Sequence, residues 1–317
     1  MLRGDSVPSF KHDRVTPAQI IILGFLLLIF TGAVLLMLPF STQEPGGASF
    51  GDALFTATSA TCVTGLVLHD TALYWSPFGQ LVILLLIQVG GMGVVTIAVA
   101  IFMFAGKRIG LKQRWVMQES ISAPQVGGIV RMTGFILKTA FLIEGVGALL
   151  LALRFCPQFG LGRGLWYAVF HSVSAFCNAG FDLMGVNSPF SSLTDYVGDP
   201  LVSNVIAFLI IIGGVGFLTW NDIREHKLHF RRYRLQSKLI LTTTLALILT
   251  GLLFFLLYEF EQGQWVDMSL WERINAAVFQ SVTPRTAGFN TVDLTGLSQP
   301  AQLLIILLML VGGSPGS

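Results

Sequence analysis

Charge is scarce in this chain. Only 11% of its 317 residues are Asp, Glu, Lys or Arg, whereas 53% are hydrophobic, and the mean hydropathy is +0.73. A soluble domain carries about 25% charged residues, so the long uncharged apolar runs indicate a polytopic membrane protein. Cysteine is scarce too. Three residues with no Cys-x-x-Cys exclude a disulfide framework. No Asn-x-Ser/Thr acceptor with a permitted middle residue occurs. His69, His171, Cys62 and Cys177 contain no ligand pair with zinc-site spacing. Gly312-Gly313-Ser314-Pro315-Gly316 formally matches a Gly-x-Ser-x-Gly elbow, but it ends an apolar span instead of joining a strand to a helix. With no paired acid and base at depth, an enzyme is not expected.

What the chain does have is a threefold repetition, which fixes the reading of everything around it. Phe55 to Leu66 reads FTATSATCVTGL, Phe170 to Phe181 reads FHSVSAFCNAGF, and Phe279 to Phe289 reads FQSVTPRTAGF. Each copy has one setting: a long apolar span, a half-length span, a small-residue loop with glycine, and a second long span. The long spans are expected over 20–38 and 78–104, then 134–155 and 201–220, then 239–258 and 301 to the end. The half-spans are expected over 52–60, 166–176 and 270–282. The corresponding units are 1–110, 111–230 and 231–317. Arg3, Lys11 and Arg14 precede the first span, but it exceeds a signal peptide's apolar region of roughly 7–15 residues, and Met37-Leu38-Pro39-Phe40 is no small-residue cleavage site. A retained span is expected.

Nine or ten helical residues cover about half of a ~30 Å hydrocarbon core, so the half-spans must dip in and return. Non-helical backbone is tolerated at that depth only inside protein or along a water-filled path. Ser269 and Glu272 have capping-box spacing before the third half-span, Ser49 and Asp52 imitate it before the first, and Gly162 and Gly164 are a weaker signal before the second. Lys107, Arg108, Lys112 and Arg114, then Arg224 through Lys238, put the N-terminus and both inter-repeat loops in the cytoplasm by the positive-inside rule. The half-spans are flanked instead by acids, among them Glu44, Asp52, Asp70, Asp182, Asp195, Asp199, Glu261, Asp267 and Asp293. These make an acidic vestibule that concentrates cations.

The second long spans carry Gly90-Gly91-Met92-Gly93, Gly213-Gly214-Val215-Gly216, and the 312–316 segment. Close helix packing is the leading reading of the first two. Ser-Pro-Gly in the third predicts a break or hinge at mid-membrane. Lys138 lies near enough to a membrane face to snorkel, whereas Glu144 is deeper and faces either the bundle interior or a neighbouring subunit. Arg285 is expected to brace its loop from behind, and His171 to be a polar residue on a half-helix. A half-helix aims the negative end of its dipole at the membrane centre, and loops that follow it can offer carbonyls to a cation in place of water. Repeats that all enter from one side favour a pore. Inverted repeats would favour a coupled secondary transporter.

VTGL, NAGF and TAGF after short half-helices resemble the filter loops of the Trk/Ktr/HKT potassium transporters, most nearly the KtrB-type membrane subunit, over essentially the whole chain. No extra spans precede Ile20, in keeping with the Ktr type. The resemblance implies an all-α integral membrane fold of tandem repeats, pseudo-fourfold about one central pore, with three repeats present and the third incomplete. It also implies potassium uptake through a carbonyl-lined filter. The filter residues carried over are Cys62, Val63, Thr64 and Gly65; Cys177, Asn178, Ala179 and Gly180; and Arg285, Thr286, Ala287 and Gly288. Gly312, Gly313, Ser314, Pro315 and Gly316 fall where the family has a gating loop. Glycine in all three loops resembles the potassium-selective members. The chain ends before a fourth filter loop and is expected to be an incomplete polypeptide. Also implied are a bacterial inner-membrane location, a homodimer, contact with membrane lipid, and a cytoplasmic nucleotide-binding regulatory ring of the KtrA type, for which the 224–238 loop is a docking candidate. No covalent cofactor and no nucleic acid are expected. The only metal is potassium as cargo, with sodium as a second candidate. A sodium-coupled transporter of another small cation or solute is the alternative.

Overall fold

The computed structural model describes residues 16–104, 110–120, 128–227 and 229–312. Those residues form helices joined by loops, with a single isolated bridge between Thr42 and Trp75. α1 (Pro17–Leu36) starts in a capping box, with Thr16 Oγ1 accepting from Gln19 N and the Gln19 side chain reaching back. α2 (Phe50–Thr61) is the first half-length helix, capped by Ser49. A single turn, α3 (Thr71–Tyr74), is capped by Asp70 and leads to α4 (Pro77–Met92) and α5 (Val94–Phe104). α6 (Leu111–Ser120) follows.

The second unit has the long α7 (Ile129–Phe159), the half-length α8 (Leu161–Phe176), α9 (Pro200–Gly214) and α10 (Phe217–His226). α8 begins five residues earlier than expected. Gly160 turns the chain, and Gly164 lets α8 lie directly on the Phe155–Cys156 backbone. The third unit has α11 (Leu235–Phe254), continued by a π turn over Phe255–Glu259, then α12 (Leu270–Val282) and α13 (Gln299–Met309). The capping box at Ser269 and Glu272 is formed in full.

α1, α7 and α11 with its π turn are long and apolar enough to cross a membrane. Each half-length helix lies in the angle between long ones: α2 against α1 and α4, α8 against α7 and α9, α12 against α11 and α9. Small residues permit this closeness. Ala53, Ala57 and Ala60 on α2, Ala168 and Ala175 on α8, and Ala276 and Ala277 on α12 are buried. Polar side chains such as Ser59, Ser174 and Gln280 sit inside, while Leu27, Leu142, Leu149 and Leu257 face outward. Polar inside and apolar outside is the distribution that a hydrocarbon surrounding imposes.

The second long spans are not continuous helices. α4 and α5 meet at 99° and α9 and α10 at 90°. Gly93 (φ 82°) and Gly216 (φ 86°) occupy the breaks in a backbone region that side-chain-bearing residues adopt at a cost. The close-packing reading holds for other glycines of the same signatures. Gly90 lies against the Thr61 carbonyl at the end of α2, and Gly213 against the Phe176 carbonyl at the end of α8. α13 also stops short, and its last turn precedes Gly312. Gly313, Ser314, Pro315 and Gly316 lie outside the described residues.

Gly216→Ala should straighten or strain the α9–α10 corner. An alanine held at the Gly216 dihedrals (φ 86°, ψ 151°), a region essentially reserved for glycine, costs about 1–3 kcal/mol, so thermal unfolding of the purified protein should show a lower midpoint, whereas Gly162→Ala, with open space around its Cα, should leave it unchanged.

Candidate functional site

The three glycine loops share one backbone conformation. Val63 (φ 55°), Asn178 (φ 57°) and Thr286 (φ 63°) are left-handed, and two residues later so are Gly65 (φ 79°), Gly180 (φ 71°) and Gly288 (φ 80°). Val63 and Thr286 are β-branched, for which such a dihedral is a strained outlier. Strain of this kind, repeated at equivalent positions, is a mark of a functional segment.

The loops also meet. A methyl group on Gly65 would fall 2.6 Å from the Ala179 carbonyl oxygen, and one on Gly180 would fall 2.8 Å from both Ala287 O and Gly288 Cα. The first loop thus touches the second and the second touches the third, backbone to backbone, at the level of the glycines. Gly312 reaches the outer side of the third loop, where a methyl group would come within 2.7 Å of Thr286 Cγ2.

One hydroxyl residue at or near the C-terminal end of each half-length helix holds its loop in this shape. Ser59 O accepts from Thr64 N (2.8 Å), Ser174 O from Ala179 N (2.8 Å), and Thr283 O from Ala287 N (3.1 Å). The same residues donate their hydroxyls to the carbonyl just after the glycine. Ser59 Oγ bonds Leu66 O at 2.7 Å, Ser174 Oγ bonds Phe181 O at 2.6 Å, and Thr283 Oγ1 bonds Phe289 O. Sequence reading passed over these three, although the signal was present: each stands four residues after the repeated Phe55, Phe170 and Phe279.

The carbonyls before those anchors are left free. Among the described residues, those of Cys62, Val63, Thr64 and Gly65, of Cys177, Asn178, Ala179 and Gly180, and of Thr286, Ala287 and Gly288 accept no hydrogen bond. The Arg285 carbonyl differs, accepting from Thr286 Oγ1 at 2.6 Å. Buried acceptors are ordinarily paired. A cluster of free carbonyls at converging loops can therefore receive a positive ligand.

The surroundings are fixed from behind. His171, fully buried, places Nδ1 2.7 Å from Tyr167 O, and its Nε2 accepts from Leu183 N at 3.3 Å. One nitrogen is thus spent on the carbonyl of its own helix and the other on the chain that follows the second loop. Oriented to donate, the Asn178 amide reaches Ala175 O (3.0 Å) and Ile210 O (3.2 Å). Glu144 faces the bundle interior. Gln88 Nε2 lies 3.0 and 3.2 Å from its two carboxylate oxygens, and Ser172 Oγ donates to its backbone carbonyl at 2.6 Å. The expected brace from Arg285 is not formed among the described residues: its Nε and Nη1 are buried without partners.

On the face where the half-length helices begin, the acids do double duty as caps. Asp70 caps α3 and accepts from Phe190 N at 2.8 Å. Asp199 caps α9 and pairs with Arg154 at 2.5 Å. Asp182 accepts from Met184 N at 2.9 Å. The protein packed around Asp182, helped by the Asp70 charge, pushes its carboxyl up to about 6, against the pull of the Met184 N–H.

A family profile described as cation transport protein (TrkH) matches residues 7–317. The chain belongs to this family. It is 43% identical to the Ktr system potassium uptake protein B of Bacillus subtilis (strain 168) over 97% of this chain and 67% of that one. It is 40% identical to the potassium/sodium uptake protein NtpJ of Enterococcus hirae over 96% and 66%. The chain thus spans about two thirds of the length of these relatives. The crystal structure of the potassium transporter TrkH from Vibrio parahaemolyticus aligns with a TM-score of 0.68, covering 97% of this chain and 59% of that one, at 20% identity, a likeness of fold. Membership in the TrkH family places the chain among membrane transport proteins, not enzymes.

Thr283→Val keeps the shape of the side chain but removes the donor to Phe289 O. A lost hydrogen bond of this kind costs about 1 kcal/mol or more. Amide exchange at Ala287 should quicken in this variant and remain slow in Thr283→Ser.

Proposed function

We propose that this chain is the potassium-translocating part of a Ktr-like uptake system, with the carbonyls of the three glycine loops forming most of a selectivity filter. The observation that carries the reading is the convergence of Gly65, Gly180 and Gly288, each followed by an anchored carbonyl and preceded by free ones. Alternating left- and right-handed residues can turn successive carbonyls to one side of a loop, and carbonyl oxygens on a common axis can replace the hydration shell of a potassium ion. The half-length helices end beside the same loops, so the negative ends of their dipoles add to the attraction. The names of the relatives give the cargo as potassium, with sodium beside it in the Enterococcus protein. Sodium is therefore kept as a second cargo.

In this reading the face bearing Asp70, Asp182 and Asp199 is external, and the opposite face with Arg224, Arg231, Arg232 and Arg234 is cytoplasmic. The N-terminus is then inside, and the membrane is the bacterial inner membrane. A fourth loop completes a pseudo-fourfold ring about one pore, the segment from Gly312 onward gates it, and the working unit is a homodimer under a nucleotide-binding cytoplasmic ring. These last assignments rest on the family resemblance.

Gly65→Ser, introduced into the full-length protein and expressed in cells lacking their own potassium uptake, should lower potassium uptake and narrow the potassium-to-sodium preference by about tenfold or more, as expected for losing ~1.4 kcal/mol of discrimination. Unchanged rate and preference would count against the filter.

Uptake should also depend on external pH. Above about 6 the Asp182 carboxyl is charged and attracts cations to the mouth, and as pH falls through that value it becomes neutral. The apparent KM for potassium should therefore rise on acidification in the wild type, and Asp182→Asn should show the raised KM at neutral pH with a flatter profile.

A further inference from the structure

A cavity of about 730 Å³ opens at the corner of α6, α7 and α10, away from the filter, and four cationic side chains line it: Arg114, Arg131, Lys138 and Arg224. Among the described residues, no acidic one is in its lining. Arg224 is held in place by the Phe135 ring, with its guanidinium carbon 4.5 Å from the ring centroid. Arg114 Nε is buried and has no hydrogen-bond partner among the described residues. The N-terminus of the 31-residue α7 opens into the same space at Gly128, and no side chain among the described residues caps its first-turn amides. Uncapped amides and the positive end of a long helix favour an anion. Cations of one sign crowded about a common cavity repel one another, and a bound anion relieves that repulsion.

The cavity is the wide end of a longer feature. Arg131, Phe135 and Lys138 follow one another at helical spacing on a single face of α7. The same face continues as Leu142, Val146, Leu149 and Leu153, which are 66%, 49%, 68% and 66% exposed. A positively charged pocket thus leads into an open apolar stripe. Beside the pocket, Trp115 on α6 is 59% exposed, and an outward Trp next to basic residues is the usual signature of the membrane–water boundary. Basic pockets between helices at that boundary receive phosphorylated lipid headgroups.

We infer that the α6–α7–α10 corner binds an anionic phospholipid, with its phosphate among Arg114, Arg131, Lys138 and Arg224 and an acyl chain along the Leu142–Leu153 stripe of α7. A free phosphate would use the same cations but gain nothing from the stripe. The site is independent of which ion the protein carries, so its failure and the failure of the transport reading are separable.

The full-length protein in detergent, titrated with phosphatidylglycerol or with phosphatidylcholine of the same acyl chains and read by native mass spectrometry, tests the site. Phosphatidylglycerol should bind about tenfold more tightly or better. Arg131→Gln with Lys138→Gln should weaken it about twenty-five-fold, at roughly a fivefold loss for each charge near the surface. Arg131→Lys should retain binding, which guards against a misfolded double variant. Inorganic phosphate should not displace the lipid. Equal binding of the two lipids, indifference to the double variant, or displacement by inorganic phosphate would each overturn the assignment.

Discussion

A peptide carbonyl inside a membrane must have a partner. The hydrocarbon offers none, and a helix supplies one only while it continues. This chain interrupts its helices at three places of like sequence and then spends side chains to hold the interruptions still. The Ser59, Ser174 and Thr283 hydroxyls satisfy the carbonyl after each glycine, and the backbone carbonyls of those same residues satisfy an amide before it. What remains unsatisfied is a short run of carbonyls in each loop. Loops that were simply badly packed would not repeat the same dihedrals and the same anchor three times.

The broken second spans belong to the same arrangement. Gly90 and Gly213 rest on the carbonyl ends of α2 and α8, and Gly312 touches Thr286. Three residues beyond Gly90 and Gly213, the chain turns sharply at Gly93 and Gly216. In the first two units the span that abuts the glycine loop is therefore also the one that bends just beyond it. Glu144 on α7 extends the linkage across the first two units, its carboxylate meeting Gln88 of α4 and its backbone carbonyl accepting from Ser172 of α8.

Much of this was legible in the sequence, because the repetition gives three readings of one structure. The half-length helices could be read from length alone, and the box at Ser269 and Glu272 formed as its spacing requires. The glycine positions were legible because only glycine fits where backbone meets backbone, as Gly65 meets Ala179. The breaks at Gly93 and Gly216 were not. Gly-Gly-x-Gly is compatible both with tight packing and with a bend, and the structure uses its first glycine for one and its last for the other. The anchors at Ser59, Ser174 and Thr283 escaped notice because hydroxyl residues are common in such segments, and only their constant distance from a phenylalanine sets them apart. Arg285 is hard to read for a different reason: a guanidinium near a loop suggests a brace, but bracing depends on acceptors that only the folded surroundings can place, and among the described residues its Nε and Nη1 meet none.

The central claim is that bare backbone oxygens of the three loops bind a dehydrated cation. Anomalous diffraction from crystals of the full-length protein soaked in thallium or rubidium measures this directly. The account predicts density on the axis enclosed by Gly65, Gly180 and Gly288, within carbonyl-coordination distance of the loops. Strong density elsewhere in the membrane region, with none between those glycines, would contradict it.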